Sequence, residues 1–306
     1  MRTLVTGASG FVGAALIPRL QGGGHDVVAF ARDPARVRAD VPVVRGDAVT
    51  GEGLAEALEG VDVAYFLIHS MEGQGREGFE DAERRAAEHF AAAADRAGVR
   101  RVVYLGGLVP TDKPLSRHLA SRLAVEEVLL DGAPEGVALR ASIVVGARSR
   151  SFRFLVRLVE RARVLPLPAW QANRTQPVDE RDVLSYLVAA GTSRAVTAPL
   201  SLDVAGPDVL TYGQMVERIR DAMLIGRPTV RLGLTVTPIA GRVAAAIAGE
   251  EAGLIVPLME SLESDLLPRD DRARELFGVR LHRFDAAVER ALADWERDEP
   301  GTVAAR

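Results

Sequence analysis

The chain of 306 residues contains no cysteine. That absence excludes disulfides, thiol nucleophiles and cysteine-ligated metal. Lysine is nearly absent too: Lys113 stands alone, so any Schiff-base or lysine-acid mechanism has only that residue to use. Five histidines are scattered without ligand spacing, so no metal site is expected. A strong excess of charge of one sign is also missing. The net charge of -4 and a pI near 5.8 give no electrostatic case for a nucleic-acid partner.

No long uninterrupted apolar run is present. The most apolar late segment, 233–259, is broken by Arg242, Glu250, Glu251 and two prolines. A membrane span needs roughly 20 uninterrupted apolar residues, so a buried or lobe helix is expected and no span. The N-terminus "MRTLVTGASG" reads as a buried strand entering a glycine turn rather than a signal peptide, which makes the cytoplasm the default location. What remains is ordinary for a globular protein: 48% apolar and 26% charged, and long enough for an α/β core with an attached lobe.

The first half alternates strand and helix signals. "TLVTG", "DVVAFAR", "VPVVRGD", "VDVAYFLIHS", "RRVVYLGG" and "GVALRASIVVG" read as strands. Between them lie helical patterns, including "GFVGAALIPRLQGGG", "GEGLAEALEG" and a long stretch from about Gly78 to Ala97 closed by Gly98. Such alternation implies right-handed βαβ units and a parallel sheet covered on both faces. The expected fold is therefore a Rossmann-type, doubly wound α/β sheet with a smaller C-terminal lobe. The division expected is a core over 1–148, with 175–206 completing the sheet, and a substrate lobe over 149–174 and 207–306. After about residue 148, "SFRFLVRLVERA" reads as an amphipathic helix, and "RTQPVDERDVLSYLVAAG" as a short strand entering a helix opened by Asp179.

"TGASGFVG" follows the first strand and opens the first helix. Gly7 permits the tight turn and Gly10 lets backbone approach a diphosphate at the helix N-terminus. Gly13 allows close helix–sheet packing. Ser9, Phe11 and Val12 complete the loop expected to contact a dinucleotide, and a merely structural turn is the alternative. An NAD-specific fold places an acid at the end of the second strand. Here "VVAFARDP" offers Ala31 and then Arg32, whose fork of donors suits a 2′-phosphate. NADP(H) is thus expected over NAD(H), against the alternative that Arg32 is a plain surface charge. Asp47, with Ala48 beside it, follows the third strand and is placed either to accept the adenine amino group or to cap a turn.

Together with "VDVAYFLIHSM", "RRVVYLGGL", "LSRHLASRLAVE", "LRASIVVG", "RTQPVDERDVLSYL" and "PLMESLESDLL", these motifs carry a family likeness over nearly the whole chain. The sequence resembles the atypical, extended-type short-chain dehydrogenase/reductase proteins, the NmrA-like and complex I accessory-subunit-like group. That likeness implies a sheet of about seven strands and a nicotinamide cofactor, and names no substrate. By motif it implies that Leu67, Ile68 and His69 lie beside the cofactor at the end of the fourth strand. Gly106 and Gly107 would end the fifth strand, and Ser142, Ile143 and Val144 would flank the nicotinamide. Here the sequence departs from the family's chemistry. Where a standard member has catalytic serine, tyrosine and lysine, this chain has Gly107, His118 and Arg122.

His118 and Arg122 are four apart and share a helix face. Arg122 has donors for a cofactor ribose but stays charged and shuttles no proton. His118, with an ordinary pKa of about 6.5, is roughly a quarter protonated at pH 7 and can serve as an acid. The plainer alternatives are a polar residue near a helix start capped by Ser116, and an arginine in a phosphate or surface contact. His69, with Ser70, is a second candidate at the mouth of the fourth strand. Met71, Phe79, Phe152, Phe154, Trp170 and Tyr186 are candidates for an apolar pocket, with core packing as the alternative for each. Asp179 and Asp182 read as helix-start acids that orient the lobe. Two functions follow: an NADPH-dependent reductase of a lipophilic small molecule, or a non-catalytic NADP(H) sensor with a protein partner. A membrane-associated quinone or lipid enzyme rests only on the 233–259 stretch.

Overall fold

Arg2–Thr6 forms β1, whose Thr3–Thr6 are buried, as a strand covered on both faces must be. The computed structural model describes residues 1–68, 79–111, 114–231 and 261–300. Strands β2 (Asp26–Ala31), β3 (Val43–Arg45), β4 (Val63–Phe66), β5 (Arg101–Gly107) and β6 (Val137–Ala141) follow, separated by α1 (Phe11–Gly22), α2 (Leu54–Ala57), α3 (Phe79–Arg96) and α4 (Arg117–Asp131). Every pair in the main sheet is parallel. The seventh strand comes from much later in the chain, Leu200–Val204, and lies against β6. From that edge the order runs through β6, β5, β4, β1 and β2 to β3, a Rossmann sheet with its switch point beside β1.

Two cores sandwich the sheet. Phe66, Phe90, Tyr104, Val125 and Leu129 pack beneath α2, α3 and α4 on one face. Leu16, Ile17, Leu139, Tyr186 and Leu187 pack beneath α1 and α6 (Glu180–Thr192) on the other. A third apolar cluster lies apart. It joins α5 (Arg150–Arg161) and α7 (Tyr212–Ala222) to the last helix, Phe284–Asp298, through Phe152, Val156, Ile219, Phe284 and Trp295. Full burial of such side chains stabilises by about 1.5–3 kcal/mol each.

Two elements differ from expectation. "GEGLAEALEG" makes only one helical turn, α2, because Gly51, Gly53 and Gly60 take left-handed backbone around it. The expected sixth strand, "GVALRASIVVG", is cut in two. At Ser142 the chain leaves the sheet, and Val144–Val145 (β7) pairs instead with Val178–Asp179, the strand entering α6. The backbone groups of that step are satisfied: Ser142 N–H donates to the Val204 carbonyl and Val178 N–H to the Ile143 carbonyl, at 3.0 and 2.9 Å.

Candidate functional site

Helices α4, α5, α6 and α7 begin on Ser116, Ser149, Asp179 and Thr211, each accepting a hydrogen bond from its own first turn. Helix α1 begins differently. Its cap is Gly10, no side chain caps its first turn, and that turn holds no acid. Its N–H groups and positive dipole end are thus left for an outside anion.

The glycines before it are there because nothing larger fits. Gly7 has φ +64°, and a Cβ on it would strike the Leu67 carbonyl group. A Cβ on Gly13 would strike the Gly7 carbonyl and the Ala8 backbone. Thr6 ties this turn to the next strand, its hydroxyl donating to the Tyr65 carbonyl at 3.0 Å and accepting from Leu67 N–H at 3.1 Å. The loop therefore lies pressed against the end of β4, and Ser9, Gly10, Phe11 and Val12 retain exposed or half-exposed surface. A diphosphate fits this cradle.

Around it, Arg32 stands exposed at the end of β2 with no hydrogen-bond or ion-pair partner among the described residues. Asp33 caps the following turn by accepting from Ala35 N–H. Asp47 Oδ1 accepts from Val49 N–H at 2.8 Å, which is the turn role, and Ala48 is buried beside it. Leu67 and Ile68 are half-buried at the end of β4, while His69, Ser70 and Met71 lie outside the described residues, as do Lys113, the side chain of Phe79 and segment 233–259. Gly106 and Gly107 close β5; a side chain on Gly107 would meet Leu119 of α4. Ile143 and Val144 are half-buried, whereas the buried Ser142 hydroxyl sits 3.2 Å from that of Thr175.

His118 is half-buried in the first turn of α4, one residue before Leu119, whose side chain lies against Gly107 at the end of β5. Arg122, one turn on, is largely buried. It donates to the Leu105 carbonyl at 3.1 Å, stacks on Tyr104, and lies 3.8 Å from the buried Glu83 carboxylate. Glu83 also accepts from Ser121. Arg122 is therefore no surface contact, and the Glu83 partnership was not visible in the spacing of one helix.

All four tyrosines are at most 1% exposed. Burial pushes Tyr104 and Tyr186 up to about 12, and raises Tyr65 and Tyr212 as well. Phe152, Phe154 and Trp170 fill the third cluster, and Tyr186 packs edge-on against Phe277, so these four are core rather than pocket. Asp179 caps α6 and pairs with Arg181. Buried Asp182 accepts from the His282 backbone at 2.8 Å and meets its ring nitrogen at 2.6 Å. It thus fastens the C-terminal segment to α6.

Sequence reasoning passed over Glu180. Among the described residues its carboxylate has no hydrogen-bond or ion-pair partner, and a Cβ on Gly146 would strike both it and the Phe11 ring. Burial, then repulsion from Asp179 and Asp294, lifts it from 4.5 to about 7 against the pull of Arg19 and Arg148. Only tertiary packing brings Glu180 beside the start of α1. Among the described residues no group of three or more histidines and carboxylates is placed to hold a metal, and no helix is long and apolar enough to cross a membrane.

Residues 7–142 match a family model described as NAD(P)H-binding. Over 227 residues the chain is 26% identical to the mitochondrial NADH dehydrogenase [ubiquinone] 1 alpha subcomplex subunit 9 of Arabidopsis thaliana, covering 71% of this chain and 56% of that one. Over 189 residues it is 29% identical to ceramide reductase of Caulobacter vibrioides, covering 60% and 59%. The chain thus spans less than two thirds of either relative. A solved UDP-glucuronic acid 4-epimerase from Bacillus cereus, in complex with UDP-glucuronic acid and NAD, superposes with a TM-score of 0.72 at 16% identity, over 97% of this chain and 99% of that one; this shows the fold. The fold and loop define an NAD(P)H-binding Rossmann protein. These matches are consistent with the atypical short-chain dehydrogenase/reductase group that the chain's motifs resemble.

Proposed function

We propose that this chain is an NADPH-dependent reductase of a lipophilic small molecule, working without the serine, tyrosine and lysine of standard members. One observation carries the reading: the uncapped start of α1 beneath glycines that admit no Cβ, with the exposed Arg32 at the neighbouring strand end. Gly7, Gly10, Gly13, Phe11 and Val12 would hold the diphosphate through backbone N–H groups, and Arg32 the 2′-phosphate. Leu67, Ile68, Gly106, Gly107, Ile143 and Val144 would shape the nicotinamide end. The cofactor, when bound, supplies hydride.

The chain's own task is then to place the substrate, exclude water and deliver a proton. No tyrosine is available for the last step, since all four are buried away from any site a substrate could reach. His118 is the acid we assign. It sits one residue before Leu119, which lies against Gly107 at the end of β5, and an imidazole gives up a proton near neutral pH. Arg122, fixed by Leu105 and Glu83, holds the helix face that presents it. Residues 149–174 and 207–306 would form the substrate lobe, and a lipophilic substrate agrees with the ceramide reductase relative.

The test is stopped-flow NADPH oxidation against enones, quinones, aldehydes and long-chain ketones. Turnover that drops about 10²–10⁴-fold in His118→Ala supports the reading. Tight NADPH binding without turnover on any substrate, together with a protein partner recovered by pull-down, would replace it with the sensor function.

A further inference from the structure

A cavity of about 150 Å³ lies where three parts of the chain meet: the β2–β3 connection, the segment between β7 and α5, and the end of the last helix. One wall is rigid. Arg153 forms a two-pronged pair with Glu299, both contacts 2.9 Å, and lies 4.3 Å over the Trp295 ring. The Trp295 indole N–H donates to the same carboxylate at 3.2 Å, and Arg157 stacks on the ring at 4.9 Å. Charge is balanced within that wall.

The rest of the lining is not balanced. Arg38, Arg148 and Asp298, all exposed, line it without a hydrogen bond or ion pair among the described residues. Two guanidinium forks lining one small space, of which that of Arg148 also exerts a pull on Glu180, favour a bidentate oxyanion. Asp298 narrows the choice, because a carboxylate only accepts. Beside it the ligand must present a donor. Phosphate near neutral pH keeps a proton to donate, and sulfate does not. At about 150 Å³ the cavity has room for a phosphoryl group.

We propose that this cavity is a phosphate site, separate from the cofactor cradle, in which Arg38 and Arg148 bind the oxyanion and Asp298 accepts its proton. The ligand is inorganic phosphate or the phosphoryl end of a small monoester. Occupancy would bridge the loop after Arg32 to the last helix of the third cluster.

The test is calorimetry on the full chain with inorganic phosphate, glycerol 3-phosphate and sulfate, each with and without saturating NADPH. One phosphate site that survives NADPH is expected, with sulfate at least about tenfold weaker. Arg38→Ala and Arg148→Ala should each weaken phosphate about tenfold or more, and Asp298→Asn should close the gap to sulfate. Tighter glycerol 3-phosphate identifies a monoester ligand; equal or weaker binding identifies free phosphate. No phosphate heat at ~20 mM, a Kd ceiling of little more than 2 kcal/mol, overturns the proposal. So does binding indifferent to both arginine substitutions, or displaced by NADPH. Should NADPH itself fail to bind, the arginine variants still read this site, so the two ideas fail separately.

Discussion

Glu180→Gln should stabilise the protein, and by an amount that depends on pH. The native carboxyl holds its proton up to about pH 7, whereas in the unfolded chain it ionises near 4.5. Between those values the folded state binds more protons than the unfolded state, so stability falls as pH rises; below the window the penalty is absent and above it complete. A gap of roughly two and a half pH units, at about 1.4 kcal/mol each, sets a ceiling near 3.5 kcal/mol. Glu180 is only partly buried, and solvent screening brings the expected penalty down to about 1–2 kcal/mol. The assay is urea unfolding of wild type and Glu180→Gln at about pH 4 and pH 8. The two proteins should match closely at the lower pH, with the variant ahead by about 1–2 kcal/mol at the higher. A difference that stays constant with pH, or that favours wild type at the higher pH, would show that the carboxylate is not held in the unfavourable setting read from Phe11 and Gly146.

Three other outcomes follow from particular contacts. Gly13→Ala forces a Cβ onto the Gly7 and Ala8 backbone; NADPH affinity should fall at least about tenfold by calorimetry, with about 1–3 kcal/mol of stability lost. Arg32→Ala should weaken NADPH about tenfold more than NADH, and an equal loss for both would refute the 2′-phosphate role. Glu126 is the buried partner of Arg140, with contacts of 2.7–3.1 Å, and also accepts from Ser201. Glu126→Leu should therefore cost about 3–5 kcal/mol in denaturant unfolding, and adding Arg140→Met should restore most of it.

The alternation of apolar strands with helical patterns made the Rossmann sheet legible, because parallel strands buried on both faces need near-continuous apolar sequence. "TGASGFVG" was legible for a similar reason: the demand for residues without a Cβ is local, and it shows as glycine. The turn cap of Asp33 and the helix cap of Asp179 were equally readable, since each bonds within two residues. The pairing of Arg122 with Glu83 was not, because the two sit on different helices. Nor was the split of the sixth strand at Ser142, which depends on hydrogen-bond partners supplied by Val204 and Thr175 far along the chain.

Sequence by itself determined the sheet and the glycine cradle, both of which are written in neighbouring residues. Tertiary structure alone decided that every tyrosine is sealed in a core, that Glu180 comes to rest against Phe11, and that Arg38 and Arg148 converge on one cavity. Those three facts are set by contacts between segments distant in the chain. Spacing records which residues share a strand or a helix face, but carries no trace of what a later segment will be packed against them.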